Sequence, residues 1–292
     1  LNRKSRPLLG FDLEVDNLDL SRYLDDTDKA PRQGTTAAAR PGKWDFSMLR
    51  TFDAEGTLRV KELRGWSFRM GDVRLPLKLR QGQLACGPYT ARFYGSVLRG
   101  DSQLDFRQGL RFTTRLAAKD FDLAKASEDR GGDSVLSGRA SLESRFHAAL
   151  TGPGQMPAAL DGQWNFRINK GSYQERDSKG RLRGSPTHFE MVSASGNFQR
   201  GICRSGDFKL LGPDLQVYGG GMIDLNTRTL DCNLTVDMGR LKDIPVRLHG
   251  SLDKPQTSIG AGKLIFAALG GMVHGIMDVI GGIFEGTWKL FH

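Results

Sequence analysis

The sequence predicts a mainly β protein: a long antiparallel meander forming a curled, groove-like sheet, with a few short helices and a C-terminal amphipathic helix. Two observations carry the class. Apolar and polar residues alternate in run after run along the chain, the period-2 pattern that puts every apolar side chain of a strand on one face. Glycine supplies 37 of the 292 residues, well above the usual ~7%, which favours turn-punctuated strands over long helices. Phe, Trp, Leu and Val are numerous enough to build an interior, and charged residues stop at 26%, so extended disorder is disfavoured.

The strands follow in order. Phe11, Leu13 and Val15 alternate with Asp12, Glu14 and Asp16, and Leu58 and Val60 with Arg59 and Lys61. Val73, Leu75, Leu77 and Leu79 interleave with Arg74, Pro76, Lys78 and Arg80; Pro76 cannot donate to a ladder, so this strand is an edge or is bulged there. Further stripes are Leu104 and Phe106; Leu110, Phe112, Thr114 and Leu116; residues 142–150 around Phe146; and Trp164, Phe166 and Ile168. The longest is Leu230, Cys232, Leu234, Val236 and Met238, followed across Ile244-Pro245 by Val246, Leu248, Gly250 and Leu252. Gly100-Asp101, Gly109 and Asn226-Thr227 are expected hairpin turns. Gly219-Gly220-Gly221 is expected to be a bulge or tight bend. Short helical turns are expected within residues 117–133 and 157–160.

Residues 1–260 form the predicted sheet domain, interrupted by polar, aperiodic loops at 25–43 and 175–186. Within it, residues 73–106 and 192–225 read as a duplicated unit. The match rests on Leu-Arg-Gln-Gly (79–82) against Phe-Gln-Arg-Gly (198–201), Gly87-Pro88 against Gly212-Pro213, and Phe93-Tyr94-Gly95 against Val217-Tyr218-Gly219, with a one-residue gap. The tail, 261–292, is different in kind. Leu264, Ala268, Met272, Ile276, Ile280 and Phe284 recur at steps of four, the stripe of an amphipathic helix that packs on the sheet or lies at a membrane surface. Residues 264–284 are long enough to span a bilayer, but five glycines and Asp278 count against that, and an oligomerisation helix is the other alternative.

A meander with one apolar face must hide it as a sandwich, a barrel or a trough. Right-handed twist accumulates along successive strands, so curling is the natural outcome. An open trough would hold lipid acyl chains. The lining predicted for it is Leu58, Val60, Val73, Leu75, Leu77, Leu79, Leu104, Phe106, Phe112, Leu116, Trp164, Phe166, Ile168, Leu230, Leu234, Val236, Val246 and Leu248.

Chemistry is poorly represented. His147, His188, His249, His274 and His292 are dispersed outside any metalloprotease pattern, and Cys86, Cys203 and Cys232 lack metal-ligand spacing. No Gly-x-Ser-x-Gly elbow or phosphate-binding glycine loop occurs, so no enzyme and no cofactor is expected. With 42 basic against 33 acidic residues the net charge is +9. Basic residues such as Arg74, Lys78 and Arg80 fall on the outward face, as a solvated surface or a counterpart for anionic lipid headgroups. The aromatics fall on the apolar side instead, which argues against nucleic acid.

Leu18-Asp19-Leu20-Ser21-Arg22-Tyr23-Leu24 resembles the LDLDRYL element of AsmA-like proteins. The run 52–100 is similar to that family's succession of alternating strand, glycine hairpin and aromatic-Tyr-Gly strand. Residues 136–140, 158–162, 221–225 and the stretch Ile244-Pro245-Val246-Arg247-Leu248-His249-Gly250 to Pro255 resemble its C-terminal domain. The resemblance covers residues 10–260. It implies a periplasmic protein anchored to the inner membrane by an N-terminal helix absent from this sequence, and a part in outer-membrane biogenesis. It also implies kinship with bridge-like lipid transfer proteins. The implied partners are phospholipid or another acyl-chain lipid, the membrane surface and other envelope proteins; a ligand-free scaffold for outer-membrane protein assembly is the alternative.

Overall fold

A computed structural model describes residues 6–20, 45–65, 68–131, 134–152, 155–177, 179–252 and 254–259. The expected loop at 25–43 and the tail stripe Leu264, Ala268, Met272, Ile276, Ile280 and Phe284 lie outside the described residues.

The alternating stretches are strands: β1 (Leu8–Asp19), β2 (Asp53–Gly65), β3 (Phe68–Arg80), β4 (Gln83–Phe93), β5 (Ser96–Asp105), β6 (Leu110–Asp122), β7 (Ser134–Leu136) and β8 (Arg139–Leu150). They continue as β9 (Asp161–Arg176), β10 (Leu182–Gln199), β11 (Ile202–Leu211), β12 (Leu215–Asp224), β13 (Thr229–Met238), β14 (Leu241–Ser251) and β15 (Lys254–Ile259). All belong to one sheet in chain order, with β7 set aside as a short partner of β9, and the sheet is not closed. The helical elements include α1 (Leu123–Arg130), the four-residue α2 (Met156–Ala159) and a 3-10 turn at Ser47–Arg50. Asp122 caps α1, its carboxylate accepting from the amides of Ala124 at 3.1 Å and Lys125 at 3.4 Å.

The sheet is mixed, which corrects the all-antiparallel expectation. β1 runs parallel to β2, with Leu13 beside Leu58 and Val15 beside Val60. A parallel pair needs a long connection, and β1 ends at Asp19 while β2 begins only at Asp53. This register keeps both apolar stripes on one face and brings the acids of β1 to the bases of β2: Asp12 to Arg59 and Asp16 to Lys61, each at 2.5 Å.

Two turn expectations also change. Gly100-Asp101 lies inside β5, where a Cβ on Gly100 would come within 2.3 Å of the Tyr89 hydroxyl; the glycine is there for close approach. The reversal is instead at Tyr94-Gly95, both in the left-handed region (φ 45° and 80°). The connection between β9 and β10 is residues 177–181, shorter than the expected loop 175–186, because strand pairing continues to Arg176 with Leu182 and Glu175 with Arg183. The strand of Pro76 is neither an edge nor bulged at the proline: β3 lies between β2 and β4, Pro76 pairs with Thr57 without a break, and in the shift between Arg74 and Leu77 the extra residue belongs to β4.

The duplication is clearer in three dimensions than in sequence. At a constant offset of 119 residues, β3–β5 and β10–β12 share their pairings: Arg74 with Thr90 and Ser193 with Lys209, Cys86 with Ser102 and Ser205 with Gly221, Tyr89 with Gly100 and Phe208 with Gly219. The tight turns match, Gln81-Gly82 (φ 53°, 78°) against Arg200-Gly201 (φ 51°, 75°). The same offset equates Gly87-Pro88 with Gly206-Asp207, the extra residues of two bulges, so no gap is needed. Gly212-Pro213 and Val217-Tyr218-Gly219 are not the counterparts that their letters suggest.

Candidate functional site

Opposed residues of neighbouring strands share a face, and the register puts these predicted residues on one face of the sheet: Leu58 faces Leu75, Leu77 faces Cys86, Leu104 faces Phe112, Ile168 faces Val192 and Leu234 faces Val246. The eighteen residues do not share one environment, however. Phe112, Trp164, Phe166, Ile168, Leu230, Leu234, Val236, Val246 and Leu248 belong to a packed cluster that runs from Ala91 on β4 to Leu248 on β14. Val73, Leu104, Phe106 and Leu116 are half-buried against it. Leu58, Val60, Leu75, Leu77 and Leu79 lie outside that cluster, Val60 and Leu79 buried and the other three half-buried.

These five continue onto β1, where Leu9 is 57% exposed and Leu13 53% exposed beside half-buried Phe11 and Val15. Gly56 admits the close approach of Phe11: a Cβ there would lie 2.1 Å from the Phe11 carbonyl oxygen and 2.6 Å from its ring. Leu9, Phe11, Leu13, Leu58, Leu75 and Leu77 thus form an apolar patch that the packed cluster does not cover. Alternation had marked Phe11, Leu13 and Val15 as a stripe; only the parallel register joins them to the lining.

The interior of the packed region is poor in reactive groups. Burial pushes the thiols of Cys86, Cys203 and Cys232 up to about 11, which keeps them protonated and weakly nucleophilic. Cys203 accepts from the Trp164 indole at 3.2 Å. Burial also raises Tyr89, whose hydroxyl lies near the Ser102 and Thr114 pair, themselves 2.8 Å apart. No group of three or more His, Cys, Asp or Glu that could hold a metal ion occurs among the described residues. No helix among them is long and apolar enough to cross a membrane.

A second concave feature was not foreseen. A groove of about 1140 Å³ crosses β4, β5, β6, β8, β9, β10 and β11 at mid-strand, taking three consecutive residues from most of them. It begins at Pro88 and ends at Gly206 and Asp207, the two equivalent bulges. Of the predicted lining only Leu116 and Trp164 border it. Its exposed side chains are outward ones, Arg99, Arg115, Glu143, Arg145, Gln163, Asn165, Asn197 and Arg204 among them. No family model, curated protein or solved structure matches the chain.

Proposed function

We propose that this chain is a non-enzymatic, AsmA-like element of the bacterial envelope that holds lipid acyl chains against the apolar face of a curled sheet, within phospholipid transport and outer-membrane biogenesis. The observation that carries the reading is the uncovered patch on β1–β3. Exposed Leu9 and Leu13 beside half-buried Leu58, Leu75 and Leu77 form a contiguous apolar surface, the kind that marks an interaction site in a folded protein. Charged side chains on the reverse of the same strands leave acyl chains only one face to occupy. The curl is supported by burial: the inward residues of β4–β14 are covered although no second sheet occurs among the described residues. On this reading the protein works in the periplasm, tethered to the inner membrane by an N-terminal helix outside this sequence. It would meet the membrane surface and other envelope proteins there.

Leu13→Glu with Leu75→Glu tests it, because both positions tolerate a charge better than the packed cluster does. Native mass spectrometry with lipid extraction on the full chain is expected to find stoichiometric phospholipid on the wild type and none on the double variant, with the β-type circular dichroism spectrum unchanged. Retention of lipid by the variant, or a lipid-free wild type, overturns the proposal. The second reading, a ligand-free scaffold, is favoured by the dense packing from β4 to β14 and is what a lipid-free wild type would leave standing.

A further inference from the structure

The mid-strand groove lies against the outward face and calls for a different ligand. Arg115 on β6 sits directly opposite Arg145 on β8, and the same cross-strand row continues through Gln163 and Asn197 to Arg204. Arg99 stands on β5 at the next outward position along from Asp101, which faces Arg115. Like charges directly opposed across strands are destabilising. None of these four arginines has a carboxylate within ion-pair distance among the described residues. The nearby acids are engaged elsewhere or set apart. Glu143 meets Lys119 at 3.5 Å. Asp207 accepts from the amide and hydroxyl of Ser195, at 2.8 and 2.5 Å, and from the hydroxyl of Ser205 at 3.2 Å. Asp101 is the register neighbour of Arg115 but forms no ion pair with it.

We propose that this groove is a binding site for a phosphate-bearing anion, with Arg115 and Arg145 as its paired anchors and Arg99 and Arg204 to either side. Guanidinium groups present planar donor forks that match phosphate oxygens, and one anion between two of them turns a repulsive pair into an attractive triad. Amide side chains of Gln163, Asn165 and Asn197 add neutral donors along the same floor. The groove spans seven strands, about 29 Å at the usual spacing between strands. Its volume exceeds the ~300–1,000 Å³ of ordinary small-molecule pockets, which leaves room for whatever carries the phosphate. The site is separate from the apolar patch on β1–β3 and does not rest on lipid being held there.

The test is isothermal titration of the full chain at low salt with two probes, inorganic phosphate and monomeric dihexanoyl phosphatidylglycerol, against wild type and an Arg115→Gln/Arg145→Gln variant. At least one probe is expected to bind the wild type, more weakly as salt rises, with an affinity about tenfold or more lower in the variant. Equal response to both probes identifies a free phosphate; response to the lipid alone identifies a headgroup. The unliganded variant is expected to match or exceed the wild type in urea midpoint, because a repulsion has been removed; this separates loss of binding from loss of fold. Failure of both probes, or equal affinity in wild type and variant, overturns the proposal. The Leu13→Glu/Leu75→Glu variant is expected to bind inorganic phosphate as the wild type does, so the two sites fail or stand independently.

Discussion

The strands β1–β3 and β8–β10 follow the same alternation yet meet different fates. Phe166, on β9, lies between Leu142 and Ala194, is 2% exposed and belongs to the packed cluster. Leu13, on β1, lies beside Leu58 and is 53% exposed. Their outward neighbours differ as well: β1 and β2 face solvent with a ladder of paired charges, whereas β6 and β8 carry opposed arginines. Alternation therefore decides which face a side chain joins, and the covering of that face is decided by parts of the fold remote in sequence. Apolar side chains on one face can serve as core in one place and as a surface for a ligand in another.

The largest break in the comparison is expected from truncating the covered side. Phe166→Ala should cost about 3–5 kcal/mol, the range for removing a buried aromatic, whereas Leu13→Ala should stay within about 0.5 kcal/mol. Urea denaturation of the two variants checks this; equal losses would mean that β1 is packed as tightly as β9. It also follows that Phe166→Glu buries an unpaired charge and unfolds the chain, so that Phe166 is a poor probe of lipid contact.

A glycine pair sharpens the contrast at smaller scale. Gly100 lies under Tyr89, and the 2.3 Å gap from its Cβ site to the hydroxyl oxygen means that Gly100→Ala displaces a half-buried ring. The expected cost is about 1–3 kcal/mol. Gly10 on β1 has no atom within 4 Å of its Cβ site, and Gly10→Ala is expected to be neutral or slightly stabilising, since glycine weakens a strand interior. Thermal melts that rank the two the other way round would place the crowding on the wrong strand.

How much of this was legible in the sequence depends on the range of the signal. The strands and the apolar face were, because period 2 is local and each stripe carries it. The parallel pairing of β1 was not: the signal is distributed between Asp12 and Asp16 on one strand and Arg59 and Lys61 on another, with a long connection between them. Gly100 misled because glycine marks close approach as often as reversal. The repeat was anchored correctly at 79–82 and 198–201 but was then drawn to matching Gly-Pro pairs, when the conserved feature is a bulge that Gly206-Asp207 forms as well as Gly87-Pro88 does. Of the candidate site, the common face of the apolar residues was readable; its division into covered and uncovered parts was not. The arginine row stayed hidden because Arg99, Arg115, Arg145 and Arg204 come from four strands and meet only through register.

The charge ladder on β1 gives the smallest and most local expectation. The hydrogen bond from Arg59, reinforced by its charge, holds the Asp12 carboxyl below the usual carboxylate range. The hydrogen bond to Asp16 likewise raises Lys61. A carboxyl depressed in the folded state contributes stability that is present above its unfolded pKa and disappears as pH falls through the folded value; a raised lysine contributes below its unfolded pKa and loses that as pH rises through the folded one. β1 should therefore loosen at both extremes, in acid below about pH 4 and in base above about pH 10, while β9, which is held by packing, does not follow it. The pairs are exposed, so the effect is modest and salt-sensitive. Amide hydrogen exchange, corrected for intrinsic rates, should show protection at residues 11–15 falling relative to residues 164–168 between about pH 6 and about pH 3. About 1 M salt at the higher pH should reproduce part of the change by screening the pairs. If protection falls in the same proportion on both strands, β1 is held by the same packing as the rest of the sheet, and the uncovered patch that distinguishes it would lose its physical basis.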